Sequence, residues 1–114
     1  MVFIAERLLR YPKVVEWSST WQDGFRDPDS KAYQKLINHN RLVEKRPNIG
    51  CPGVDGMKTG YTRKAGFCIT VTCKRDNRRL VGVVTGFKSS KQRNKFVRKL
   101  LDWGYKRKGT ENEK

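Results

Sequence analysis

Val54-Asp55-Gly56-Met57-Lys58-Thr59-Gly60-Tyr61-Thr62 stands near the middle of the chain and decides how the rest is read. From Met57 to Thr62 it has strand composition, with a threonine and a tyrosine around one glycine. Placed at a sheet edge, such a strand offers unpaired N–H groups along one side. A peptide can lie against it as one more strand, held by main-chain hydrogen bonds. Gly60 has no side chain, so a ligand backbone can come close there. Without its surroundings the stretch would be an ordinary loop-to-strand junction with an exposed lysine.

Ala65-Gly66-Phe67-Cys68 follows, then a strand hairpin, then Lys99-Leu100-Leu101-Asp102-Trp103-Gly104-Tyr105. In that order, and with Lys58-Thr59-Gly60 as the third motif of penicillin-binding proteins, the series resembles the D-alanyl-D-alanine carboxypeptidases, the low-molecular-weight penicillin-binding serine peptidases that trim peptidoglycan stem peptides. The resemblance runs from about Asn38 to Tyr105, with a fainter trace at the N-terminus. It implies the C-terminal portion of a mixed α/β, serine β-lactamase/transpeptidase-like domain: antiparallel strands with a packed C-terminal helix. It also implies substrate-binding roles. Lys58 would hold the polar network around a nucleophile, and Thr59 would bind the substrate's terminal carboxylate. Gly60 would admit the substrate backbone, and Tyr61 would give a backbone N–H to the oxyanion hole. Arg93 stands where family members often carry an arginine near the carboxylate pocket, with a plain surface arginine as the competing reading.

The nucleophile is missing. Ser18, Ser19, Ser30, Ser89 and Ser90 all lack a lysine three residues on and an asparagine two residues on, so neither S-x-x-K nor S-x-N occurs. No catalytic residue is therefore assigned, and the expectation is a part of a catalytic domain, inactive alone. Whether a separate N-terminal half supplies both motifs stays open. The implied ligands of the complete domain are a peptidoglycan stem peptide or a β-lactam. Residues 1–105 are read as the domain part and 106–114 as a basic, disordered tail.

Composition sets further bounds. A length of 114 residues suits one domain, and a net charge of +15 with a pI near 10.2 suits contact with polyanions. No nucleic-acid motif accompanies the charge. The alternatives to an enzyme part are thus a basic polyanion-binding module or a truncated gene remnant. Cys51, Cys68 and Cys73 with a single histidine, His39, make a zinc site improbable, and no cofactor is expected. Cys68 and Cys73 fall on opposite strand faces and should not bridge; small core filler is the preferred reading of the cysteines. Glu6 interrupts the first apolar run too early for a signal peptide, and no stretch has the ~20 apolar residues of a spanning helix. The family's place is the cell envelope; the chain as written is expected to lack an export signal and so to be cytoplasmic if expressed in this form.

In order, residues 2–10 read as a short helix ended by Pro12, and Val14–Phe25 as an extended run with an Asp23-Gly24 turn. Trp17 and Trp21 suit either a stacking platform or, the reading preferred here, packing against the remainder of a larger domain. Asp27-Pro28-Asp29-Ser30 is a turn, and Lys31–Leu36 a short helix with Tyr33, Leu36 and Ile37 inward. Asn38-His39-Asn40-Arg41-Leu42-Val43 is similar to the family's N-x-N-x-L-L element, with His39 a hydrogen-bonding residue and not a base. Residues 44–53 form a loop in which Cys51 has no evident role. Phe67–Cys73 and Arg79–Val84 form a hairpin about Asp76-Asn77, ended by Gly86. The last helix starts at Ser89 or Ser90, carries an apolar stripe of Phe96, Val97, Leu100 and Leu101, and stops at Gly104.

Overall fold

Two adjacent left-handed residues, Asp76 (φ 49°) and Asn77 (φ 66°), close the central hairpin of the computed structural model, which describes residues 1–46 and 49–107. Short polar side chains tolerate that geometry, and a two-residue turn of this kind matches the strand twist. The hairpin joins β4 (Gly66–Arg75) to β5 (Arg78–Phe87); β3 (Val54–Thr62) pairs antiparallel with β4, giving the order β3-β4-β5. Before them come α1 (Val2–Leu8), α2 (Pro12–Ser19), a separate hairpin of β1 (Gln22–Phe25) and β2 (Gln34–Ile37), and a 3-10 turn at Arg41–Val43; α3 (Ser90–Lys106) is the last element among the described residues.

Strand β4 is covered on both faces. Ile69, Val71 and Cys73 turn to one side and join Val84, Val97 and Leu101 in the core. On that side lies α3: a Cβ added to Gly82 would sit 3.3 Å from Val71 and 3.9 Å from Leu100. Thr70 and Thr72 turn to the other side, also buried. There a Cβ on Gly56 would meet Ser18 of α2 at 2.5 Å and Thr72 at 3.0 Å. The Ser18 hydroxyl donates to the Asp55 carbonyl (2.8 Å), and the Asp55 carboxylate accepts from both Arg79 terminal nitrogens at 3.0 Å and from the Thr72 hydroxyl at 2.7 Å. The expected mixed α/β architecture, with antiparallel strands and a packed C-terminal helix, is the one observed.

Several local expectations are corrected. Residues 12–19 are helical, not extended: Pro12 occupies the first turn, where its missing N–H is no loss. Asp23 and Gly24 lie inside β1, and Lys31–Leu36 is turn and then strand, not helix. Leu36 and Ile37 are about half exposed, Tyr33 somewhat less so, and none points into the core. Trp21 packs on this chain's own core while Trp17 is 68% exposed, so the two tryptophans do not share one role. Phe96, placed in the inward stripe of α3, is 44% exposed. Strand β5 runs on to Phe87 through a left-handed Gly86 (φ 85°). Cys51 is buried in the core and its sulfur accepts from Arg75 (3.3 Å).

Helix α3 passes Gly104 and runs to Lys106, one residue into the stretch read as tail; residues 108–114 lie outside the described residues. Gly104 serves packing, since a Cβ there would come 2.8 Å from Leu80. The end of the helix is held by Arg78, which donates to the carbonyls of Gly104 (3.0 Å), Tyr105 (3.4 Å) and Arg107 (2.6 Å). Beside it the Tyr105 hydroxyl bridges the carbonyls of Cys73 (2.9 Å) and Arg78 (3.0 Å). Burial, with the contacts around Cys73, pushes the phenol up to about 12. Because the folded value exceeds the unfolded one of about 10, this contribution is complete below pH ~10. It is lost as the pH rises from there toward 12. Tyr105→Phe should cost about 1 kcal/mol at neutral pH, and urea unfolding should show the gap from the parent shrinking across that alkaline window.

Candidate functional site

The outer edge of β3 has no strand partner among the described residues, and the sequence singled out this strand for its Lys58-Thr59-Gly60. Pleating sends neighbours to opposite sides. Thr59, opposite Ile69, lies on the α3 side; Lys58, opposite Thr70, lies on the α2 side. The Lys58 ammonium is exposed and donates to the Thr59 carbonyl at 2.6 Å. At Gly60 an added Cβ would meet none of the described residues within 4 Å, so packing among them does not demand a glycine there. The Tyr61 ring lies against Phe67, 4.4 Å between centroids.

Arg93, one turn into α3, is not a surface arginine: it is 3% exposed. Its Nε donates to Asn94 (3.0 Å) and its Nη1 to the Cys68 carbonyl (3.3 Å). No carboxylate of the described residues pairs with it. Burial lowers its pKa from the usual guanidinium value, opposed by the nearby Cys68. A buried guanidinium lacking a counter-ion is expensive unless an anion is supplied. The helix starts here because the Ser89 hydroxyl accepts from the Gln92 N–H at 3.1 Å.

All five residues named from the sequence, Lys58, Thr59, Gly60, Tyr61 and Arg93, line one open cleft of about 720 Å³. Segment 37–46 forms much of the facing wall. There the two asparagines act as braces: Asn38 donates to the carbonyls of Ser18 and Thr20 (both 3.0 Å) and accepts from the Asn40 N–H (2.9 Å). Asn40 accepts from the Leu42 N–H at 3.1 Å, capping the 3-10 turn. Their spacing was the legible signal; the job is structural. His39 lines the cleft, and so do Trp21 and Ile37, whose place no sequence pattern announced. Glu44, read only as loop, is also in the wall. Among the described residues no three His, Cys, Asp or Glu side chains converge as a metal site requires, and no helix is long and apolar enough to cross a membrane.

Residues 1–89 match the family model described as D-alanyl-D-alanine carboxypeptidase. The chain belongs to that family. The match reaches back to residue 1, well beyond the motif-bearing stretch. The D-alanyl-D-alanine carboxypeptidase DacF of Bacillus subtilis (strain 168) is 38% identical over 105 residues, which is 92% of this chain and 25% of that relative. The chain thus spans about a quarter of this curated carboxypeptidase's length. Among solved structures, penicillin-binding protein 5 from Haemophilus influenzae is 30% identical with a TM-score of 0.75, over 91% of this chain and 28% of that one. Penicillin-binding protein D2 from Listeria monocytogenes, solved in a cefotaxime-bound form, is 27% identical with a TM-score of 0.70, over 88% and 36%. A Streptomyces K15 DD-transpeptidase mutant, 19% identical with a TM-score of 0.79 over 93% and 41%, supports the fold alone.

Proposed function

We propose that residues 1–105 form the C-terminal part of a serine-type D-Ala-D-Ala carboxypeptidase domain and supply its substrate-binding strand. The observation that carries this is the convergence of the unpaired Lys58-Thr59-Gly60 edge with Arg93, a buried cation without a carboxylate partner among the described residues, on one cleft. A peptide laid along β3 would bring its backbone over Gly60, where no described residue intrudes. Its terminal carboxylate would meet the Thr59 hydroxyl and the Arg93 fork, a planar group suited to a planar anion. The Lys58 ammonium, which now rests on its own strand, would turn to a neighbouring nucleophile. The Tyr61 N–H would face the oxyanion that develops during acyl transfer.

The serine that attacks belongs to a motif these 114 residues do not contain. The chain's contribution is therefore binding and charge stabilisation, and it is inactive by itself. Stem peptides or β-lactams are the ligands of the completed domain, and the cell envelope is its place of work.

The test pairs the chain with a family N-terminal half carrying S-x-x-K and S-x-N. In that pair Thr59→Val should weaken use of peptides ending in a free carboxylate by a loss of about 1–3 kcal/mol. Peptides amidated at that end should be affected little. Equal losses on both substrates would remove Thr59 from carboxylate recognition.

A further inference from the structure

Helix α3 carries six lysines and arginines against one acid in seventeen residues. Lys91, Lys95 and Lys99 recur every fourth residue, so they form one row on the side of the helix away from the buried Val97 and Leu101, and all three are exposed. Lys106 continues the row at the end of the helix. Four helical residues rise about 6 Å, inside the Debye length of about 8 Å at physiological ionic strength. Neighbouring ammonium groups therefore repel, at the spacing where opposite charges would support the helix. None of the three pairs with a carboxylate among the described residues, and the helix's single acid, Asp102, is held by Arg75 at 3.2 Å. No acid stands in the first turn, where Lys91 and the preceding Lys88 sit at the positive end of the macrodipole. A solvated face ordinarily mixes both signs. This one works against the fold, and no ion pair among the described residues offsets it.

We propose that the Lys91-Lys95-Lys99 row is a binding site for an extended polymer of phosphate diesters, held through its phosphates alone. The three cations span about 12 Å of helix, and about 22 Å with Lys106, so they suit a linear polyanion and not a compact anion. A phosphate-diester backbone carries one charge per repeat, which suits a row of single cations. Lysine presents a point charge on a flexible stem, which can follow a backbone but lacks the planar fork that reads base edges. The rings flanking the row are already engaged: Phe96 lies against Phe87, 5.3 Å between centroids, and Arg107 lies over Trp103 at 4.9 Å. That leaves the phosphates as the contacts. None of the three lysines lines the cleft, so the site is independent of the peptide reading. The chain's charge of +15 attracts any polyanion, so the experiment has to separate this row from net charge.

The experiment titrates the 114-residue chain by anisotropy with a fluorescent oligomer of abasic sugar phosphates and with single-stranded DNA of equal length. The two should bind alike. Lys91→Gln, Lys95→Gln and Lys99→Gln together should weaken both about tenfold or more and flatten the slope of log affinity against log salt by about 2, at about 0.7 per lost contact. A control removes the same charge elsewhere, with Lys13→Gln, Lys31→Gln and Lys35→Gln, and should leave that slope nearly unchanged. The row variant should unfold thermally no earlier than the parent, since it relieves repulsion, and changing the three lysines to arginine instead should keep the parent's binding. Equal effects of the row and control variants overturn the proposal, because net charge alone then accounts for binding. DNA held about tenfold more tightly than the abasic oligomer overturns it in favour of a surface that contacts bases. No binding of the oligomer at low salt overturns it too, and attraction to anionic vesicles in that case puts a lipid surface there instead.

Discussion

Incubated with a fluorescent penicillin and run on a denaturing gel, the 114-residue chain is expected to show no labelled band. A covalent adduct needs an activated nucleophile, a serine beside a base that takes its proton. Of the five serines, Ser18 donates to the Asp55 carbonyl, Ser19 to the Glu16 carbonyl, and Ser89 caps α3. Ser30 accepts from the Ala32 N–H in a turn, and Ser90, which does line the cleft, has no lysine three residues on. Mixing with an N-terminal half that carries both motifs should turn this blank lane into stoichiometric labelling. The effect is all or none, because positioning without a nucleophile forms no bond. Stoichiometric labelling of the isolated chain, abolished by changing one of those serines, would overturn the division of labour proposed above.

How much of this was legible follows from where the burial lies. The β4–β5 hairpin was readable because β-branched runs flank Asp76-Asn77, a pair suited to a tight turn, and local chemistry and packing agree there. The helix α3 was readable from Val97 and Leu101, which recur at helical spacing and do enter the core. Strands β1 and β2 were not, since every one of their residues is exposed and no face alternates. Val14 and Val15 suggested a strand by propensity, but Pro12 in the first helical turn and packing of α2 on β3 decide for helix. Gly104 looked like a stop because the sequence does not reveal Arg78 reaching the helix end from β5.

The site divides the same way. Lys58, Thr59, Gly60 and Tyr61 are contiguous, so one strand states them all. Arg93 was visible only as a spacing within a resemblance; its burial and its lack of a carboxylate partner among the described residues are tertiary facts. Glu44 carried no signal, because its isolation among cations arises only when segment 37–46 folds against β3.

Of this chain's own side chains, Lys58 is expected to carry the largest effect in the completed pair. Its ammonium is exposed and, among the described residues, donates to its own strand's Thr59 carbonyl, so removing it should leave the fold intact. In the acylation transition state it would be the fixed charge beside the nucleophile. Removing a preorganised group of that kind costs about a hundredfold or more in rate. The measurement is the acylation rate of the folded pair by fluorescent penicillin, parent against Lys58→Ala, with matched thermal unfolding. The account predicts a loss of about a hundredfold or more at unchanged stability; a Lys58→Ala pair that acylates as fast as the parent would contradict it.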